Sequence, residues 1–272
     1  MHEKVTYDTR SADGTAIAWH VTGEGPPLLL VHGSLGDHTR WDALRTLLEP
    51  HVTVHAMDRR GRGASGDAAA YAIEREYEDV AAVIDAIADS TGAPIAVYCS
   101  SFGGLCALGA YERTTNVARL ALYEGWPPVH PAAHETPTAT VARMEALLAD
   151  GSREAALELA YRELVGLDEA DLERIRRQPS WPRRIAAVHT ITREMRAFDE
   201  QRFDADAARR VTAPTLLLIG SESPAWGPEA PVVAAALPDA RIAVLDGQGH
   251  AADLLAPELV AERLLPFVLA SR

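Results

Sequence analysis

Two side chains with the right chemistry for nucleophilic catalysis stand far apart in the chain: Ser101 and His250. Ser101 lies in Val97-Tyr98-Cys99-Ser100-Ser101-Phe102-Gly103-Gly104, where an apolar run passes through a sharp turn straight into a helical pattern. A serine at the tip of such a turn lifts its hydroxyl above a sheet, and the amides opening the next helix face any negative charge that develops there. Small residues are needed on both sides because the backbone doubles back; Gly103 supplies one, and the compact but larger Cys99 stands at the other. A plainer reading is that Ser100 and Ser101 only cap the helix that follows. His250 closes the loop Asp246-Gly247-Gln248-Gly249-His250, from which an imidazole can reach back over a sheet, take a hydroxyl proton and return it to a leaving group. A third segment, Leu28-Leu29-Leu30-Val31-His32-Gly33-Ser34-Leu35, opens from a buried strand into a His-Gly loop. There the Ser34 amide, with the amide of Phe102, is placed to hold an oxyanion. His32 is read as a brace for the loop rather than a proton carrier.

Together these segments resemble the α/β-hydrolase superfamily over nearly the whole chain. The His-Gly loop, the Met57-Asp58-Arg59-Arg60-Gly61-Arg62-Gly63-Ala64-Ser65 turn, the Ser101 elbow and the His250 loop occur in the family's order and spacing. The resemblance implies a helical cap, an acyl-enzyme on Ser101, His250 as base, and no cofactor or metal. It also implies that Asp58 and Arg59 are scaffold, whereas Arg60 and Arg62 are read as solvated surface charge. The family's usual acid position, three residues past the glycine ending the seventh strand, holds Ser223. Two glutamates can take its place: Glu124, at the end of the sixth strand as in some haloalkane-dehalogenase-like relatives, which is preferred, and Glu222, one residue early on the usual strand. Leu35, Trp126 and Trp226 are expected to contact substrate, within an apolar roof that also draws on Tyr161, Trp181, Met195 and Phe198.

Stepping outward, the elements that must hold these groups are legible as patterns. An antiparallel pair over 6–9 and 16–21 turns around Asp13-Gly14. Short apolar runs at 28–31, 52–57, 95–99, 120–123, 215–219 and 242–245 alternate with helical patterns at 40–48, 74–88, 102–113 and 257–269. Alternation of this kind predicts an α/β fold: a doubly wound, mostly parallel sheet of about eight strands with ligands bound beyond the carboxyl ends of the strands. Residues 126–205 break the alternation and are read as a helical cap inserted between two parts of one core, 1–125 and 206–272. Within the cap Ser152 and Asp168 are expected to cap helices, the first of them ending at Gly166.

The 272 residues suit one domain with an insertion, and 47% hydrophobic with 24% charged residues is ordinary globular usage. A formal charge of −13 disfavours phosphate backbones and anionic membrane surfaces, leaving a small-molecule substrate as the expected partner. The patterning specifies no oligomeric state. Cys99 and Cys106 flank the turn and are not expected to pair. With no apolar run long enough to span a bilayer and no leader-like start, a cytoplasmic protein is expected. The expected function is hydrolysis of a small, fairly apolar ester or lactone. The competing readings are non-hydrolytic chemistry on the same fold, such as perhydrolysis, carbon–carbon cleavage or cyclisation, and a non-catalytic ligand-binding protein. A dehalogenase would need a carboxylate where Ser101 stands.

Overall fold

A computed structural model describes residues 5–134 and 138–270; the first four residues, read above for a leader, lie outside it. Eight strands form a single sheet: β1 (Val5–Arg10), β2 (Ala16–Thr22), β3 (Pro27–Val31), β4 (Thr53–Met57), β5 (Ile95–Ser100), β6 (Val117–Tyr123), β7 (Thr215–Gly220) and β8 (Ala240–Leu245), in the order β1-β2-β4-β3-β5-β6-β7-β8. β1 pairs antiparallel with β2, and β2 with β4; every later pairing is parallel. The doubly wound, mostly parallel sheet expected from the alternation is therefore the observed one, and β3, β5 and β6 sit side by side within it.

The central strands are apolar throughout because both faces are covered. In β5, Ile95, Val97 and Cys99 enter one core layer while Ala96 and Tyr98 enter the other. β3 divides the same way, with Leu29 and Val31 on one side and Leu28 and Leu30 on the other, as the two-residue side-chain period demands. Helices α1 (Asp42–Leu48) and α12 (Pro257–Val268) cover one face; α2 (Ile73–Thr91), α3 (Phe102–Tyr111) and α10 (Trp226–Ala236) cover the other.

Between β6 and β7 the described residues form helices: α4 (Thr138–Ala149), α5 (Arg153–Ala160), α6 (Glu169–Arg176), α7 (Trp181–Ala187), α8 (Ile191–Asp199) and the short α9 (Ala205–Ala208). α4 to α8 enclose an apolar core of their own around Met144, Leu157, Tyr161, Ile175, Trp181 and Ile191, to which Leu35 and Leu254 of the sheet side contribute. Asp168 caps α6 by accepting from the Asp171 amide at 2.8 Å. Ser152 precedes α5 but makes no capping bond, because its hydroxyl turns to Asp150. Past Ala160 the chain continues through one π-helical turn to Gly166, which stops it in the left-handed conformation at φ 76°. The short α11 (Ala252–Leu255) precedes α12.

Arg60 and Arg62 are not surface charges as the sequence suggests: both are buried, at 0% and 2% exposure. Arg60 grips Asp79 of α2 through two bonds of 2.7 Å and Asp13 through one of 3.0 Å. A carboxylate needing a partner inside α2 is what draws the guanidinium inward. Asp58 is scaffold in the expected sense, accepting from the His38 amide, the His38 and His20 rings and the Ala64 amide. Against the upward push of burial, the bonds from His20 and His38 hold its carboxyl well below the usual carboxylate range.

Arg60→Ala leaves Asp79 buried and unpaired, so a loss of about 3–5 kcal/mol is expected in urea unfolding. His55 supplies a pH signature. Both its ring nitrogens lack partners among the described residues, and burial lowers its pKa to about 4. The unfolded chain binds this proton more readily than the folded one, so stability is complete above the ordinary histidine range and falls as pH drops towards 4. The full swing is about 3 kcal/mol. His55→Leu should flatten that part of the stability–pH curve, as read by urea midpoints across pH 4–7.

Candidate active site

The groups singled out from sequence converge above the ends of β3, β5 and β6. Among the described residues, three non-glycine positions have positive φ: Leu35 at 64°, Ser101 at 54° and Glu124 at 45°. Each follows one of these three strands. Non-glycine residues occupy this region at a cost of roughly 1–3 kcal/mol and persist only where surrounding structure imposes it. At Ser101 that imposition is visible. Its amide donates to the Tyr123 carbonyl at 2.9 Å, and its carbonyl accepts from the Gly104 amide at 2.8 Å. Gly103 is compressed against the strand beneath, where a Cβ would lie 2.4 Å from the Val31 carbonyl oxygen. Cys99, by contrast, points down into the core among Phe102, Leu105 and Cys106. That is why this turn accepts a side chain at the position usually given to glycine. Both cysteines are free, and burial pushes their thiols up.

His250 Nε2 lies 3.0 Å from Ser101 Oγ, and its Nδ1 lies 2.6 Å from Glu124 Oε2. The other Glu124 oxygen accepts from the Gly220 amide at 2.7 Å, and the residue is fully buried. With Nδ1–H donating to the carboxylate, Nε2 is left to accept from the serine hydroxyl. Such a line of bonds can move a proton off an alcohol and stabilise the imidazolium formed. Of the two carboxylates expected from sequence, only Glu124 reaches the imidazole. Glu222 is exposed, and the bond it contributes is from its backbone amide to the Gln248 carbonyl. β7 contributes to the line the Gly220 amide that donates to Glu124. Ser223, at the usual acid position, is buried with its hydroxyl unpartnered among the described residues.

The Ser34 and Phe102 amides enter no backbone hydrogen bond among the described residues. Gly33 brings their two segments together: a Cβ on it would lie 2.8 Å from Ser101 Cβ. His32 braces this loop. Its Nε2 accepts from the Arg59 amide at 3.1 Å, which leaves Nδ1–H to donate to the Gly33 carbonyl at 2.7 Å. Burial, reinforced by Arg59 and Arg62, depresses its pKa well below the ordinary value and keeps it neutral.

The His250 loop is tied down from two directions. The Tyr123 hydroxyl donates to the Gly249 carbonyl, and Arg40 grips Asp253 through bonds of 2.7 and 2.6 Å. Trp226 lies parallel to the His250 ring, with centroids 5.6 Å apart and planes within 4°. Behind it Trp126 makes an edge contact at 5.2 Å. Trp126 is therefore not at the substrate wall as the sequence suggests. It is fully buried, with its indole N–H donated to Glu229 at 3.2 Å, and supports the ring that does face the cavity.

A cavity of about 840 Å³ opens over Ser101 and His250, walled on its apolar side by Leu35, Tyr161, Ile191, Met195, Phe198 and Trp226. Trp181, also expected in the roof, packs inside the helical insertion against Tyr161. Sequence reading missed His134, which also lines the cavity, with its ring edge-on to Trp226 at 4.4 Å. Burial lowers its pKa despite Glu229 at 3.1 Å. Glu194 is buried on α8, the helix that also carries Ile191, Met195 and Phe198.

Residues 28–263 match the model of the Alpha/beta hydrolase family. An alpha/beta hydrolase from Sphaerobacter thermophilus superimposes with a TM-score of 0.80 at 34% identity, covering 96% of this chain and 99% of that one. A thermophilic esterase from Thermogutta terrifontis gives 0.74 at 24% identity over 96% of each chain. Among curated proteins, the pimeloyl-[acyl-carrier protein] methyl ester esterase of Photobacterium profundum is 40% identical over 60 residues, 22% of this chain and 24% of that protein's length.

Glu124→Gln preserves the shape of the line but removes the charge that faces the imidazole. By analogy with the well-characterised serine proteases, kcat for an activated aryl ester should fall about 10³–10⁴-fold. Glu222→Gln should change it little, and steady-state kinetics on the two variants separates the carboxylates.

Proposed function

Because the chain belongs to the alpha/beta hydrolase family, we propose that it hydrolyses a small, largely apolar carboxylic ester or lactone through an acyl-enzyme on Ser101. In this reading His250 takes the Ser101 proton as Oγ attacks the carbonyl carbon. The tetrahedral oxyanion accepts from the Ser34 and Phe102 amides, each worth about 3–4 kcal/mol by comparison with a removable side-chain donor. Collapse expels the alcohol, which receives the proton from His250. Water activated by the same imidazole then attacks the acyl-enzyme, and its collapse restores Ser101 and releases the acid. Glu124 holds the imidazole in the tautomer this exchange needs and faces the positive charge when it forms.

The observation that carries the proposal is the unbroken line from Glu124 through His250 to Ser101 at 2.6 and 3.0 Å, opening into a chamber with one apolar wall and a polar rim. The apolar wall favours an uncharged acyl or alcohol group. The polar rim carries charges of both signs, with Asp171 paired to Arg174 and Glu163 to Arg143. No step calls for a redox group or a metal.

Ser101→Ala should abolish both p-nitrophenyl ester turnover and labelling by a fluorophosphonate while leaving the circular dichroism spectrum unchanged. Undiminished turnover in that variant would rule out the mechanism.

A further inference from the structure

Glu194 is fully buried on α8, in the helical insertion, far in sequence from every group in the mechanism above. Its Oε2 accepts from the Ser34 hydroxyl at 2.6 Å. Its Oε1 accepts from Arg59 and Arg62, each at 2.5 Å. Arg59 also holds Glu76 through bonds of 3.0 and 2.7 Å, and its guanidinium lies over the Phe102 ring, 4.7 Å from the centroid. One carboxylate thus reaches both residues assigned to the oxyanion in the proposed mechanism: Ser34 through its hydroxyl, and Phe102 through the arginine stacked on its ring.

We propose that Glu194 is a positioning residue for the oxyanion hole, by which the helical insertion sets the spacing of the Ser34 and Phe102 amides. The inference rests on the hydrolase reading, since it concerns donors that matter only if an oxyanion forms. The local geometry explains why such a device is needed. The 32–35 loop is pinned at its start by His32, but Leu35 is in the strained left-handed region, so the loop needs a second anchor past Gly33. The Ser34 hydroxyl is that anchor, and a buried anion is a strong acceptor for it. Arg59 and Arg62 neutralise the carboxylate so that it can stay there without water. Burial opposes the ionised form of Glu194, and the two arginines together with the Ser34 bond favour it, which draws the group below the usual carboxylate range.

A positioning role differs from a purely structural one in which kinetic constant moves. Glu194→Gln, Ser34→Ala and the double variant are compared on a p-nitrophenyl ester, with active sites counted by the end point of fluorophosphonate labelling. Inhibition by a trifluoromethyl ketone, which forms the tetrahedral adduct, is measured in parallel. Loose donors lower kcat because they fail only when the oxyanion is present. For Glu194→Gln the expected loss in kcat per labelled site is about tenfold to a hundredfold, less than that for deleting a donor outright. KM should stay within about threefold, and ketone affinity should fall by a factor similar to that in kcat. Ser34→Ala keeps the amide and every charge, so it carries the test even if Glu194→Gln does not fold. It should lose kcat in the same way, by a smaller factor, and add nothing in the Glu194→Gln background.

Unchanged kcat per labelled site in both single variants overturns the proposal, even if less protein is active or its melting temperature drops. A raised KM with kcat intact also overturns it, because Glu194 would then act on substrate binding. If the wild-type protein is not labelled at Ser101, the hydrolase reading itself fails, and this proposal with it; normal labelling with intact kcat in the variants removes this proposal alone.

Discussion

Three adjacent strands end in residues that their own stereochemistry disfavours, and the site exists because the sheet compels them to stay so. Leu35, Ser101 and Glu124 sit in left-handed backbone at the ends of β3, β5 and β6. Their combined strain of several kcal/mol is comparable to the net stability of a domain. It is sustained by continuous burial of the central strands on both faces and by glycine contacts too close for any side chain. Gly104, for example, packs so tightly on Gly125 that a Cβ would lie 2.0 Å from its carbonyl oxygen. Ser101 and Glu124 are thereby held within hydrogen-bonding reach of a single imidazole, and Leu35 lines the cavity beside them.

Electrostatics then does what packing cannot. The turn after β4 delivers Asp58, Arg59, Arg60 and Arg62 into the interior, where Asp58 meets His20 and His38, Arg59 meets Glu76 and Glu194, Arg60 meets Asp79 and Asp13, and Arg62 shares Glu194 with Arg59. Buried pairs of this kind contribute little net stability over a well-packed apolar core, but an unmatched member is strongly penalised. Their effect is one of specificity: they allow one arrangement of the β4 turn, α2, α8 and the 32–35 loop. The helical insertion is joined to the sheet by the same means, through Glu194 deep inside and through Arg183 to Asp37 and Arg193 to Asp67 nearer solvent. A cavity wall built on the insertion therefore has a defined position over Ser101.

Much of this architecture is legible in the order of residues. Apolar runs of four to six residues mark every parallel strand, and the doubly wound sheet follows from their alternation with helices. Strand limits shift by a few residues, as at β6, which begins at Val117 rather than 120 because the half-buried Val117, Ala118 and Arg119 carry no apolar run to announce it. Ser101, His250 and the His-Gly loop stand out because turn chemistry leaves a local signature. Arg60, Arg62 and Trp126 are misread for a common reason: side-chain type gives an average preference for surface or wall, and a single buried partner such as Asp79 or Glu229 overrides it. The choice between Glu124 and Glu222 turns on which strand end lies nearer the imidazole in space, which spacing along the chain does not express.

From its sequence alone this protein is determined to be an α/β chain with a serine on a tight turn, a histidine on a late loop and helices inserted between strands. These are consequences of short-range rules: period-two burial, glycine conformational freedom and capping chemistry act within a few residues. Only the folded structure decides that Glu124 meets His250, that Trp226 and not Trp126 faces the cavity, and that Glu194 reaches Ser34 across 160 positions of chain. Those pairings depend on angles and distances of a few ångströms between segments far apart in sequence. Such separations are set when two core layers and a network of buried charges pack at once.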